Sequence, residues 1–100
     1  MRAKKEKKAA MRIRREYFDD IVTGDKTVEY RPDSPHWRKI LKKDDMPEIA
    51  VFICGKDVHR RKILFVQKIP TPIWFSAQGQ ADVNTSKCFA IHLGEVADES

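Results

Sequence analysis

The chain changes from a helical to an extended pattern at Gly24, and this switch constrains the fold more than any other feature. Four apolar residues before it have the spacing of one helix face: Tyr17, Phe18, Ile21 and Val22. Gly24 stands where a residue after a helix adopts positive φ without strain. The run from Lys26 to Arg31 then has a strand pattern, and Pro32 keeps Arg31 out of a helix. The segment therefore predicts a short helix, a stop and a strand.

Alternating or continuous apolar runs predict the remaining strands, which are Met11–Arg14, Glu48–Cys54, Arg61–Ile69 and Cys88–Val96. Ser34 followed by Pro35 marks a second helix start, because a hydroxyl N-cap and a proline at the first helical position are both favoured. Trp37, with Ile40 and Leu41, is expected to face the core. Five short strands and two helices in mixed order predict an α+β domain.

The strand Arg61–Ile69 is apolar on both of its faces. Ile63, Phe65 and Ile69 are expected on one face, and Leu64 and Val66 on the other. Two partly covered faces are typical of a small closed or half-closed barrel.

Positive charge is concentrated at the beginning of the chain. Residues 1–15 carry a net charge of +7, whereas the other 85 residues carry −2. Residues 1–10 are therefore interpreted as a basic, disordered arm and residues 11–97 as one domain. Like-charge blocks of this kind either attract nucleic-acid phosphates or only keep a protein in solution. The candidate contacts in and beside the arm are Lys4, Lys5, Lys7, Lys8, Arg12 and Arg14.

No membrane segment is expected, because the longest clean apolar run, Ile49–Cys54, has six residues and a span needs about 20. The basic start is not followed by the apolar stretch of a secretory signal, so a cytoplasmic protein is expected. A monomer is the expected oligomeric state. Cys54 and Cys88 could join His59 and His92 in a zinc site, but their spacing favours free core cysteines. No metal or cofactor is therefore predicted.

Lys26, Glu29 and Arg31 are the candidate ligand-binding residues, with Lys26 and Glu29 as candidate catalytic groups. Strand alternation places Glu29 and Arg31 opposite Val28, on a face expected to be wet or to line a ligand. Lys26 falls on the other face unless the turn at Gly24 twists it round. A carboxylate can accept from a nucleobase amino group, and the two cations can hold phosphate. The alternative is a surface charge ladder of little consequence.

The spacing Gly24-x-Lys26-x-x-Glu29-x-Arg31 resembles the signature of the ASCH family, small domains of the PUA-like superfamily. The resemblance runs from about Met11 to Val96. Besides the motif, the residues that carry it are Tyr17-Phe18-Asp19-Asp20-Ile21, Cys54-Gly55-Lys56 and Cys88-Phe89-Ala90-Ile91-His92-Leu93-Gly94. It implies a small β-barrel with two to three short helices packed at its openings.

The resemblance also implies function, and it leaves three classes open. Some ASCH domains resemble RNA-binding modules, which makes RNA or a nucleotide-like ligand the expected partner. Others are metal-independent hydrolases, either ribonucleases or amidohydrolases that release the acyl group from N4-acylated cytidine. A third class is a protein-interaction module without chemistry.

In the amidohydrolases the lysine of the motif is catalytic, and Lys26 matches it. Their threonine falls at Glu29, however, and Asp82 is the only acid between Phe75 and Cys88 where a glutamate is expected. RNA or nucleotide binding is therefore the favoured function. Tyr30 and Trp74 are the aromatic candidates for contact with a base, although Trp74 could equally pack in the core.

Overall fold

The computed structural model describes residues 7–75 and 84–97. In chain order they form β1 (Lys8–Arg12), α1 (Arg15–Thr23), β2 (Val28–Asp33), α2 (Pro35–Ile40), β3 (Ile49–Cys54), β4 (Asp57–Pro70) and β5 (Asn84–Val96). The strands make one sheet in the order β1-β3-β4-β5-β2. The β1–β3 pair is parallel, and the other three pairs are antiparallel. For these residues, the prediction of an α+β domain with five strands and two helices is confirmed.

The sheet curls into a half-barrel, and the core fills its concave side. Phe52 and Ile91 are fully buried there. α1 adds Phe18 and Ile21 to the same cluster, α2 adds Trp37, and Leu41 follows directly after α2. The edge strands of the sheet are β1 and β2. A side chain joins these edges, because Arg31 on β2 donates from Nη2 to the Arg12 carbonyl at the end of β1 over 3.2 Å.

β1 begins at Lys8, so the predicted boundary between arm and domain at residue 11 falls inside a strand. Ala9 is buried, and it pairs with Ala50 in the parallel ladder with β3. The prediction that residues 8–10 belong to a disordered arm was therefore wrong. Ala9 and Met11 allow β1 to lie against the core, although the basic residues around Ala9 suggested a solvated segment.

β4 departs from simple alternation at Leu64. The pairing register with β5 shifts between Ile63 and Phe65, which is a β-bulge. As a result Ile63 and Val66 both pack against the core, whereas Phe65 is half-exposed. The prediction that Ile63 and Phe65 share a face was wrong because the extra residue of the bulge reverses the alternation.

α2 starts as the sequence predicted, with the Ser34 hydroxyl accepting from the Trp37 backbone N–H at 3.4 Å. Trp37 is buried against the concave face. Within residues 7–75 and 84–97, no helix has the length and apolar character that crossing a membrane requires.

Both cysteines are free. Cys54 ends β3 in a half-buried position, and Cys88 is fully buried in β5, where burial raises the pKa of its thiol. Among the described residues, no three or more His, Cys, Asp or Glu side chains are grouped as metal ligands.

Candidate functional site

The turn between α1 and β2 places Lys26. Gly24 has φ +90°, and its N–H is bonded to the Ile21 carbonyl, which ends the helix. The Lys26 N–H then returns to the Asp20 carbonyl over 3.0 Å. Because β2 begins only at Val28, strand alternation does not apply to Lys26. Its side chain is therefore able to turn toward the same side as Glu29.

Lys26, Glu29 and Arg31 meet in what we call the motif cluster. Glu29 lies between the two cations, with Oε1 at 3.4 Å from Lys26 Nζ and Oε2 at 2.7 Å from Arg31 Nη2. Only 7% of Glu29 is exposed. One carboxylate thus holds two cations, and the cluster keeps one net positive charge.

The face assignment of β2 was wrong. Glu29 pairs with Ile91 and Arg31 with Phe89, and both β5 residues are core residues on the concave face. Val28 and Tyr30, expected inside, are only half-buried. Val28 was taken as the core marker because it is apolar, but Glu29 and Arg31 form an ion pair at 2.7 Å and so can occupy the inner face.

Arg31 has a different position from the other two members of the cluster. Its side chain is 19% exposed, and it spans from Glu29 to the Arg12 carbonyl while lying over the Trp37 ring at 5.3 Å. Its buried Nε has no hydrogen-bond partner among the described residues. Arg31 does not line the cavity beside Lys26 and Glu29. Its hydrogen bond to Arg12 instead joins the two edge strands, β2 and β1.

Beside Lys26 and Glu29 lies a cavity of about 160 Å³, which we call the aromatic pocket. Its walls are Tyr17, Lys26, Glu29, Tyr30, Trp74 and Phe75. The Lys26 ammonium lies 5.6 Å from the Tyr17 ring and 5.4 Å from the Tyr30 ring, within cation–π range. Trp74 stands edge-on to Tyr30, with the ring centroids 4.9 Å apart.

The predicted ligand residues divide between two places. Lys26, Glu29, Tyr30 and Trp74 line the aromatic pocket, whereas Arg31 lies behind it. Trp74 is 67% exposed, so it is not a core residue.

Tyr17 and Phe75 were missed as pocket residues. Tyr17 was assigned to the buried face of α1, but it is half-exposed beside the motif. Its hydroxyl, at the edge of an apolar helix face, was the one signal of a partly wet position.

The candidate nucleic-acid contacts are spread over the surface. Lys7 is paired with Asp45 at 2.9 Å, and the side chains of Lys8, Arg12 and Arg14 are on the outside of the domain. Lys4 and Lys5 lie outside the described residues.

Comparison of the chain with protein-family models, with curated proteins and with solved structures found no match. The ASCH relationship therefore stays a prediction from the motif.

Proposed function

We propose that the domain binds RNA or a nucleotide-like ligand in the aromatic pocket. The observation that carries this is the convergence of four aromatic rings with the Lys26–Glu29 ion pair around one small cavity. Aromatic rings hold nucleobases by stacking, which is worth about 1–3 kcal/mol per base. The half-barrel and the motif at the α1–β2 junction also support kinship with the PUA-like ASCH domains.

The polar wall of the pocket suits the edge of a base and its phosphate. Glu29 Oε1 can accept from an exocyclic amino group, and Lys26 can donate to a phosphate or a carbonyl oxygen. A pocket of about 160 Å³ is smaller than the ~300–1,000 Å³ typical of drug-sized ligands. We therefore infer that one base enters and that the rest of the ligand lies outside.

The environment of Lys26 favours binding over catalysis. A nucleophilic lysine needs a neutral amine, which desolvation or a neighbouring cation promotes. Lys26 instead has a carboxylate at 3.4 Å and two aromatic rings within cation–π range, and each of these groups attracts a positive charge. We propose that this lysine serves as a fixed cation.

Fluorescence anisotropy with a labelled single-stranded RNA tests the proposal. Trp74→Ala and Lys26→Ala should each weaken binding, roughly tenfold to a hundredfold for the lost stacking partner. Ile73→Ala and Lys56→Ala are matched controls, since Ile73 is fully exposed next to Trp74 and Lys56 is an exposed lysine outside the pocket. Both controls should bind like the wild type.

Two results would contradict the proposal. Equal affinities for Trp74→Ala and Ile73→Ala would show that RNA does not use the pocket. Turnover of N4-acetylcytidine by the wild type, lost in Lys26→Ala, would instead favour the hydrolase.

A further inference from the structure

A second concavity, which we call the basic groove, lies between α2 with the turn after it and the β4–β5 part of the sheet. Its volume is about 410 Å³, and its described lining residues are all different from those of the aromatic pocket. Its apolar lining comes from Leu41, Met46, Val66 and Phe89. The groove therefore has an apolar surface large enough for the body of an organic ligand.

Four cations line the same groove: Arg38, Lys42, Lys43 and Lys68. Lys42 and Lys43 are exposed and form no ion pair within the described ranges 7–75 and 84–97. The Lys68 ammonium lies 5.2 Å from the centroid of the Phe89 ring. Positive charge next to an apolar surface matches a ligand with an anionic group on an aromatic or apolar body.

A buried carboxylate holds two of these cations in place. Asp33 is only 2% exposed, and its Oδ1 accepts from Arg38 Nε over 2.7 Å while its Oδ2 lies 3.4 Å from Lys68 Nζ. Arg38 also donates to the Asp33 backbone carbonyl over 3.0 Å. Burial of a carboxylate is costly unless it is paired. The arrangement fixes Arg38 and Lys68 at the groove, so part of its positive charge is preorganised.

We propose that the basic groove is a second ligand site, which takes a nucleotide phosphate. The base would lie on the apolar lining near Phe89 and Val66, and the phosphates would be held by Lys42 and Lys43 with Arg38 and Lys68 beside them. The same chemistry is offered by a free nucleotide and by a nucleotide within an RNA strand. The proposal does not depend on the aromatic pocket, because the two sites are built from different described residues.

Calorimetric titration with ATP and with inorganic pyrophosphate tests this site. The experiment uses the wild type and Trp74→Ala, so that binding in the aromatic pocket is separated from binding in the groove. One saturable ATP site should remain in Trp74→Ala, and pyrophosphate should bind at least about tenfold more weakly because it lacks a base. The double variant Lys42→Ala/Lys43→Ala should weaken ATP binding about tenfold or more.

The matched control is Lys39→Ala/Lys56→Ala, which removes the same charge from exposed lysines that do not line the groove. It should change ATP affinity less than about twofold. Absence of saturable ATP binding in Trp74→Ala, equal binding of pyrophosphate and ATP, or an equal loss in the control would each overturn the proposal. Displacement of ATP by a single-stranded RNA would identify the strand as the source of the nucleotide, and absence of displacement would identify the free nucleotide.

Discussion

Glu29 is the residue on which the motif cluster depends. It is the counter-charge of both Lys26 and Arg31, and Arg31 is itself mostly buried. Removing one partner of a buried ion pair leaves the remaining charge uncompensated, which costs more than the pair contributes. Since Glu29 lies closer to Arg31, at 2.7 Å, than to Lys26, at 3.4 Å, the cost of losing Glu29 should come mainly from Arg31.

Glu29→Gln keeps the side-chain shape and one acceptor but removes the charge. We expect the free energy of unfolding to fall by about 1–3 kcal/mol, because the Arg31 guanidinium loses its ionic partner. Urea denaturation measures this. Glu16→Gln is the control, since Glu16 is exposed on α1 and lies 3.9 Å from Arg14, and it should change stability by less than about 0.5 kcal/mol. An equal effect of both substitutions would contradict a role of the Glu29 charge in stability.

At this scale the sequence predicted which residues belong together but not how they are buried. The spacing of the motif named Lys26, Glu29 and Arg31 as one set, and their side chains do meet. Which face of β2 is inside depends on the partner strand, since Ile91 and Phe89 of β5 bring Glu29 and Arg31 onto the concave face. That pairing joins residues about 60 positions apart, and no local pattern encodes it.

Among the elements, the C-terminal end of α1 is bound by a cation from a strand. Its last turn has no basic residue of its own. Arg61 of β4 supplies the charge, donating from Nη2 to the Ile21 carbonyl over 2.9 Å and from Nη1 to the Gly94 carbonyl over 3.2 Å. The Arg61 Nε in turn donates to His59 Nε2 at 3.0 Å, which requires a neutral imidazole. The helix end that carries the Lys26 turn is thereby linked to β4.

This link should make stability depend on pH. Burial, and secondarily Arg61, lower the pKa of His59 below its ordinary value. The unfolded chain, with a histidine pKa of about 6.5, therefore binds a proton more readily than the folded one. The stabilisation is complete above about pH 6.5 and is lost as the pH falls from there toward the folded pKa, by at most about 1.4 kcal/mol per pH unit.

The measurement is the urea midpoint between pH 5 and pH 8. His59→Gln keeps an acceptor for Arg61 but cannot be protonated, so its midpoint should vary less with pH than that of the wild type. His36→Gln, at the exposed start of α2, should retain the wild-type dependence. If His59→Gln shows the same pH dependence as His36→Gln, His59 is not the group responsible.

Element type and two helix limits were predictable from the sequence, whereas strand limits were not. Gly24 and the Ser34-Pro35 pair marked a helix end and a helix start at the positions found, because caps depend on local backbone geometry. The start of β1 and the bulge at Leu64 depend on long-range pairing with β3 and β5. The basic residues around Ala9 concealed the start of β1, and the unbroken apolar run around Leu64 concealed the bulge.

At the scale of the whole molecule, β1 completes the half-barrel. It pairs in parallel with β3, and its end receives the Arg31 hydrogen bond from the opposite edge. Lys7, just before it, accepts backbone hydrogen bonds from Glu48 at 2.9 Å and Ile49 at 3.3 Å. Removing this segment would expose the core beside Ala50 and leave β3 as an unpaired edge.

Two truncations distinguish the contribution of β1 to stability from the contribution of the basic residues before it. Deletion of residues 1–6 removes Arg2, Lys4 and Lys5 but leaves β1 and Lys7 intact. Deletion of residues 1–10 also removes Ala9 and most of the β1–β3 ladder. We expect the shorter deletion to keep the urea midpoint of the full chain, and the longer one to lower the free energy of unfolding by at least about 2 kcal/mol through lost backbone hydrogen bonds.

The same pair of proteins tests what the charge does, because the shorter deletion should remain folded. If Arg2, Lys4 and Lys5 contact RNA phosphates, each lost contact should lower the slope of log affinity against log salt by about 0.7 on a single strand. Affinity for RNA should then fall at low salt while the urea midpoint stays constant. An unchanged slope after deletion of residues 1–6 would mean that these cations do not contact the RNA. A 1–10 deletion as stable as the full chain would refute the structural role of β1, since a strand that pairs with β3 and receives Arg31 cannot be removed without loss of stability.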